Sequence, residues 1–438
     1  MKCLIIAAGE GSRLQQKGES KPLVPILGVP LIERVIRTAL EAGVDEFHVV
    51  VGYRGDRVRE FLMELAARIA VPIKTLVNDD WDNGNGLSVL KAQGVLSEPF
   101  LLLMADHLFA PHLVTELTAL SLSPGEIALA VDTDTTNALV DMADVTRVKV
   151  EAGKILDIGK EITDFSGFDT GAFMCTAALF AALEQSRRAG DATLSGAVRI
   201  LASEGNAKAI DTHEFWIDVD DPAAHARAEQ ALLDRLRDKP NDGPVARYLN
   251  RPVSIRLSRY LSRLDVTPNE ISVVSFLGSV IAAGLFAFGG YFALALGGVL
   301  AQFASILDGC GGEVARLKFQ SSDFGGWFDA VLDRYADAFL LFGLSWHVAA
   351  EQGGSWIVVV GFMAIVGSFM LSYTADKYDN LMRQRIEAGG QAGLRMGRDV
   401  RVFLIFLGAV THLIFPVLLL IAVVMNLEVV RRVKVAHD

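Results

Sequence analysis

The stretch CLIIAAGEGSR (residues 3–13), taken up again by SKPL at 20–23, decides the fold of the first half of this 438-residue chain. Residues 3–8 form a short unbroken apolar run, the pattern of a strand buried on both faces. The run ends directly in Gly9-Glu10-Gly11-Ser12-Arg13. Two glycines let backbone N–H groups approach a phosphate closely, and Arg13 adds positive charge. The loop is neither the dinucleotide fingerprint nor a Walker loop, because its glycines are too few and no Gly-Lys-Ser/Thr follows. Ser20-Lys21-Pro22-Leu23 then places a lysine before a rigid proline, within reach of the same loop.

Working outward, the spacing predicts helices over 31–42, 56–69 and 86–93, alternating with strands over 47–51, 73–77 and 100–104. That alternation predicts an α/β domain of Rossmann-like type, a mostly parallel sheet covered on both faces. Ligands of such sheets bind beyond the carboxyl ends of the strands, where the glycine loop lies. Further on, Asp218-Val219-Asp220-Asp221-Pro222 precedes a predicted helix at 223–236. One of these acids is expected to cap that helix. Three are more than a cap needs.

Charge and hydropathy split the chain. Residues 1–243 hold 24 Lys+Arg against 37 Asp+Glu, a net of −13, and residues 244–438 hold 17 against 15, a net of +2. The sum of −11 argues against a nucleic-acid binder. A hydrophobic fraction of 51% and a mean hydropathy of +0.36 are high for a wholly soluble protein. Three scattered cysteines, Cys3, Cys175 and Cys310, make neither a disulfide framework nor a zinc site. No cleavable leader is read at Met1–Ala8, which places the soluble part in the cytoplasm. The expected organisation is a soluble domain at 1–240, a basic amphipathic juxtamembrane helix at 241–264 and a membrane domain at 265–438.

The basic helix carries Arg247, Arg251, Arg256, Arg259 and Arg263 and is read as lying on an anionic leaflet. Apolar segments follow at 271–288, 291–307, 330–349, 355–375 and 402–429. The last is longer than the ~20 residues one span needs. Thr411-His412 and Pro416 interrupt it. Lys and Arg gather in 308–329, 376–401 and after 430, so the positive-inside rule predicts six spans with both termini in the cytoplasm. Within these segments Asp308, Asp329 and Asp333 fall at one membrane boundary, and acids at that depth suggest divalent cations. Asp337, one turn deeper, is read as a structural partner.

Residues 7–13 (AAGEGSR) and 20–32 (SKPLVPILGVPLI) resemble the nucleotidyltransferase family that makes nucleoside-diphosphate sugars and alcohols. The resemblance implies that Ala8, Gly9, Gly11 and Arg13 hold a triphosphate and that Lys21 neutralises charge in the transition state. It implies a metal ligand in Asp106, with Asp220 as the second and Asp218 in reserve. Asn78 and Gly86 would serve the base, and Lys160 and Asp169 the acceptor. His107 is read as a packed polar neighbour.

Asp308-Gly309-Cys310-Gly311-Gly312-Glu313-Val314-Ala315-Arg316, with Gly325, Asp329 and Asp333, resembles the CDP-alcohol phosphotransferase signature D-x-x-D-G-x-x-A-R, eight residues, G-x-x-x-D-x-x-x-D. The spacing matches throughout, and residue 311 departs, being glycine where the signature has aspartate. The resemblance implies Asp308 and Asp329 as metal ligands, Asp333 as the base, and Gly309, Gly312 and Arg316 at the nucleotide. Glu313 is read as facing another side of the helix from residue 311. The missing carboxylate predicts weakened metal binding.

A nucleotidyltransferase fused ahead of such a domain resembles the bifunctional inositol-1-phosphate cytidylyltransferase / di-myo-inositol phosphate phosphate synthase family over essentially the whole chain. That implies CTP and inositol 1-phosphate as substrates, a CDP-alcohol intermediate, and Mg2+ with Mn2+ able to replace it. Lys377, Arg395 and Arg398 would receive the anionic acceptor. It also implies a homodimer through a multi-pass domain in the inner membrane. Two alternatives stay open: another polyol phosphate, or a cytidylyltransferase whose membrane half is only an anchor.

Overall fold

The computed structural model describes residues 1–237, 242–389 and 397–437. The chain divides into two compact units, Met1–Leu232 and Leu233–Asp438.

The strands of the first unit are β1 (Lys2–Ala7), β2 (Pro25–Ile26), β3 (Val29–Pro30), β4 (Glu46–Val51), β5 (Ile73–Val77), β6 (Phe100–Met104), β7 (His107–Phe109), β8 (Ile127–Asp132), β9 (Arg147–Glu151), β10 (Lys154–Gly159), β11 (Gly167–Cys175), β12 (Ala207–Thr212) and β13 (Trp216–Asp218). Nine of them form one sheet in the order β5-β4-β1-β6-β11-β8-β12-β10-β9. The β5-β4-β1-β6 half is parallel. Beyond it the sheet is mixed, because β11 runs against β6 and β8. The parallel reading thus describes one half of the sheet. Alternation along the strands sends Cys3, Ile5 and Ala7 into one core and Leu4 into another, with both faces covered. Helices α1 (Leu31–Glu41), α2 (Gly55–Ile69), α3 (Asn85–Leu90), α4 (Pro111–Thr118), α5 (Ala178–Arg188), α6 (Leu194–Ser203) and α7 (Pro222–Asp234) supply the cover. The two-stranded ribbon β7–β13 lies outside the main sheet and pairs Asp218 with His107.

The second unit is helical: α8 (Arg251–Leu261), α9 (Pro268–Phe288), α10 (Tyr291–Leu317), α11 (Asp323–Gln352), α12 (Ser355–Gly389), α13 (Arg398–Thr411) and α14 (Ile414–His437). Helix α9 starts on a capping box, Thr267 with Glu270, and carries Pro268 in its first turn. The helices cross closely where glycine allows it. A Cβ on Gly343 of α11 would lie 2.5 Å from the Ala283 carbonyl oxygen of α9. The apolar run 402–429 is broken at His412, whose φ of 60° ends α13 before α14 begins.

Four helices among the described residues are long and apolar enough to cross a bilayer: Pro268–Phe288, Tyr291–Leu317, Ser355–Ala375 and Ile414–Lys434. Helix α11 carries four aspartates and α13 has 14 residues, so neither reads as a free-standing span. The basic helix α8 packs along α10, with Arg251, Ser254 and Ser258 buried and Arg256 and Arg263 exposed. Only one of its faces is therefore left for a membrane surface.

Candidate functional site

In the soluble unit the site forms where β1, β6 and β13 end. Gly11 adopts φ +62°, and a Cβ there would lie 2.4 Å from Cβ of Lys21, so the loop passes this lysine only as glycine. Gly9 differs, since a Cβ there would meet nothing within 4 Å. Its surroundings are open on the side of the cleft it lines. Ala8 is buried, and its carbonyl accepts from the Tyr53 N–H.

The Lys21 ammonium donates to Asp106 at 2.5 Å and also to Asp220. Burial would lower its pKa, but Asp106, Asp218 and Asp220 together overcome that and raise it. Lys21 is therefore held as a cation. Arg13 donates to Asp144 at 2.6 Å and to Asp220 at 3.0 Å, and Lys160 pairs with the same Asp144. Asp144, which the sequence reading missed, ties the two cations together. Nothing in its local sequence distinguishes it from other surface acids.

His107 stacks against Phe109 and Trp216, with Nδ1 2.9 Å from Asp106 and 3.7 Å from Asp218. Burial opposes its charge, but Asp218 and Asp106 raise its pKa to about 9. It is part of the cluster, more than a packed neighbour. Burial, with Asp106 and Asp220 nearby, pushes Asp218 up to about 7. One Asp218 oxygen is buried with no hydrogen-bond partner. Asp106, His107 and Asp218 bring ligand atoms within 4.8 Å of one another. An orphaned carboxylate oxygen beside a second carboxylate fits a divalent cation. Asp220 is engaged by Lys21 and Arg13 instead. Asp221 caps α7, accepting from the Ala224 N–H at 2.7 Å.

These groups open into a cleft of about 300 Å³, lined also by Asp144, Lys160, Asp169 and Gly171. Burial raises Asp169 to about 6, against the Gly171 N–H that it accepts at 2.8 Å. Asn78 and Gly86 do not line this cleft. Asn78 is fully buried, donating to Ser88 and accepting from the Asp80 N–H. A Cβ on Gly86 would lie 2.6 Å from the Ala192 carbonyl, so that glycine is needed for packing.

The membrane unit holds a second cluster. Asp308 of α10 and Asp329 and Asp333 of α11 bring carboxylate oxygens within 4.8 Å of one another. Asp329 accepts from Ser272 of α9 at 2.7 Å. One nitrogen of Arg398, at the start of α13, lies 2.9 Å from both Asp308 and Asp333. Asp337 pairs with Arg401 at 2.5 Å and with Ser368 at 2.8 Å, as its expected structural role requires. Glu313 is fully buried and held by Arg251 at 2.5 Å, Ser254 at 2.6 Å and Ser258 at 2.7 Å. Gly311 is buried against the first turn of α9, where a Cβ would lie 3.3 Å from Ser272 Oγ. Gly312 and Arg316 share an exposed face of α10, and Gly309 approaches Ser254. Arg395 and the Lys377 side chain lie outside the described residues.

Residues 3–277 match the model of the MobA-like NTP transferase domain, and residues 265–430 that of CDP-alcohol phosphatidyltransferase. The bifunctional IPC transferase and DIPP synthase of Rubrobacter xylanophilus is 36% identical, covering 98% of this chain and 94% of that protein. The protein of the same description from Aquifex aeolicus is 32% identical over 98% of this chain and 96% of its own length. A solved structure of the inositol-1-phosphate CTP transferase from T. maritima aligns with 52% of this chain and 93% of its own, at 25% identity and a TM-score of 0.47. With both domain models matched in order and full-length relatives above 30% identity, this chain belongs to the family of the bifunctional IPC transferases and DIPP synthases.

Proposed function

We propose that the chain makes CDP-inositol and then consumes it. In the soluble unit a phosphate oxygen of inositol 1-phosphate attacks the α-phosphorus of CTP. The bond from that phosphorus to the bridging oxygen breaks, and pyrophosphate leaves. The observation that carries this reading is Lys21, a cation buried where Asp106 and Asp220 meet. Such a charge balances phosphate oxygens as negative charge builds on them. The backbone of Ala8, Gly9 and Gly11, with Arg13, grips the triphosphate. Asn78 and Gly86 hold the wall beside the base in place, and Lys160 and Asp169 receive the acceptor. Asp106 and Asp218 would hold Mg2+, or Mn2+ in its place, while Asp220 holds Lys21 and Arg13 beside it. When bound, the ion neutralises triphosphate charge and orients the leaving group. Most of the rate then comes from positioning.

In the membrane unit a hydroxyl of a second inositol 1-phosphate attacks the inositol-bearing phosphorus of CDP-inositol. CMP leaves, and Asp333 takes the hydroxyl proton. Asp308 and Asp329 would hold a dication there. Gly309, Gly312 and Arg316 face the nucleotide, and Lys377, Arg395 and Arg398 the acceptor phosphate. The unit crosses the inner membrane six times, as a homodimer with both termini and both sites on the cytoplasmic face. The break at His412 and the basic loops support that topology.

Product analysis with CTP, Mg2+ and a panel of alcohol phosphates tests the chemistry. Inositol 1-phosphate should give pyrophosphate, then transient CDP-inositol, then CMP. Pyrophosphate without CMP would leave a cytidylyltransferase with a membrane anchor. Turnover of a different polyol phosphate alone would move the substrate class. For the topology, a cysteine probe at residue 352 should label from outside and one after 434 should not. Labelling at the second position would mean five crossings.

A further inference from the structure

The signature that residues 308–333 resemble implies two metal ions and four carboxylates, and the residues present do not fit two ions. Residue 311 brings no carboxylate, and the space beside it is bounded by Ser272 and the Pro268 carbonyl, 3.3 and 3.5 Å from where a Cβ would sit. Two other acids of α10 and α11 are already paired. Glu313 has three donors within 2.7 Å, all from α8, and no exposed surface. Asp337 is gripped by Arg401 and Ser368 and also lies 3.3 Å from Arg398 Nε. Three carboxylates remain, and a guanidinium nitrogen already lies 2.9 Å from two of them.

We propose that the membrane domain works with a single divalent cation, the guanidinium of Arg398 occupying the electrostatic place of the second. Charge decides in its favour. Before the diphosphate donor binds, ionised Asp308, Asp329 and Asp333 carry −3 and one dication with Arg398 carries +3, while Asp337, which also faces Arg398, is offset by Arg401. Two dications with Arg398 would carry +5 against the same three acids, at a partly dehydrated position where the excess is poorly screened. Arginine suits the role because it stays charged at any working pH, and here one nitrogen meets Asp308 and Asp333 while Nε faces Asp337 at 3.3 Å. Losing an aspartate at 311 and holding an arginine between Asp308 and Asp333 are thus two halves of one arrangement. Arg398 acts here as a positioning residue, setting how many ions the acids retain. The proposal rests on reading this unit as a dication-dependent transferase.

The test is Mn2+ titration of the full chain in lipid nanodiscs, read by electron paramagnetic resonance. The Asp329→Ala chain supplies the background from ions bound elsewhere. By difference, the native chain should bind one Mn2+ with the six-line spectrum of an isolated ion. Arg398→Ala should tighten that site by at least about tenfold, because a competing charge is removed, and Arg398→Lys should return it toward the native value. A spin-coupled Mn2+ pair in the native chain, or no ion at all, would overturn the proposal. So would unchanged affinity in Arg398→Ala, which would leave Arg398 a contact of the acceptor alone. CMP release from CDP-inositol that persists in chelator would instead sink the transferase reading beneath it.

Discussion

Each half of the molecule gathers several acids around one buried cation, and each does so differently. In the soluble unit the cation is Lys21, between Asp106 and Asp220. In the membrane unit it is Arg398, between Asp308 and Asp333. The soluble cluster comes from strand ends and loops separated by up to two hundred residues, and only the sheet brings them together. The membrane cluster comes mainly from two neighbouring helices, where fixed spacing puts Asp329 and Asp333 on one face. Lysine, a compact charge on a flexible stem, can leave a carboxylate for an arriving phosphate. Arginine, a rigid fork, is suited to staying. We read the first as a cation that moves during turnover and the second as one that stays.

The sharpest way to break this comparison is to remove one acid from each cluster. Asp106→Ala should lower pyrophosphate release by at least about a thousandfold and leave CMP release from supplied CDP-inositol intact. Asp329→Ala should do the reverse, so CDP-inositol accumulates. Loss of both half-reactions in either variant would show that the two sites are not separate. Lys21→Ala should be milder, slowing pyrophosphate release about 10²–10³-fold, as loss of one transition-state charge does. Activity near the native level would mean that Lys21 is only a structural counter-ion.

A third prediction concerns the acid that is not at either site. Glu313→Ala leaves Arg251, Ser254 and Ser258 without their buried acceptor. Breaking a buried pair from one side costs about 3–5 kcal/mol. Thermal unfolding of the membrane unit should drop accordingly, while the cytidylyl half-reaction is unchanged. An unaltered melting temperature would release Glu313 from its structural duty and reopen it as a metal ligand.

The two clusters were not equally legible in the sequence. Asp308, Asp329 and Asp333 are reached by counting, because helical spacing fixes direction as well as distance. Their cation was not reached that way. Arg398 was read as an acceptor contact, and it comes from a helix whose approach no local pattern encodes. In the soluble unit the elements predicted up to residue 104 and the helix at 223–236 agree with the structure to within a few residues, since both faces of β1, β4 and β6 are buried. The reversal of β11 was not, because a buried strand carries the same apolar run in either direction. Asp144 stayed hidden for a related reason: its role is set by Arg13 and Lys160, brought to it from distant parts of the chain.

The smallest effect separates the two glycines of the phosphate loop. Gly11 has φ +62°, and a Cβ there would lie 2.4 Å from Cβ and 2.8 Å from Cδ of Lys21. The clash is with the stem of that side chain, so alanine must displace the ammonium that Asp106 and Asp220 hold. A displacement of about 1 Å costs on the order of a hundredfold in rate. Gly11→Ala should therefore lower kcat by about that factor, with a modest loss of stability from the left-handed backbone. Gly9 has neither constraint, and a Cβ there would meet nothing within 4 Å. Gly9→Ala should leave the melting temperature unchanged and act on the ligand alone, raising KM for CTP by roughly tenfold where the extra methyl meets the triphosphate. Should Gly9→Ala bind CTP as the native chain does, the triphosphate does not pass over this loop, and the phosphate-binding role would retreat to Arg13 and Lys21.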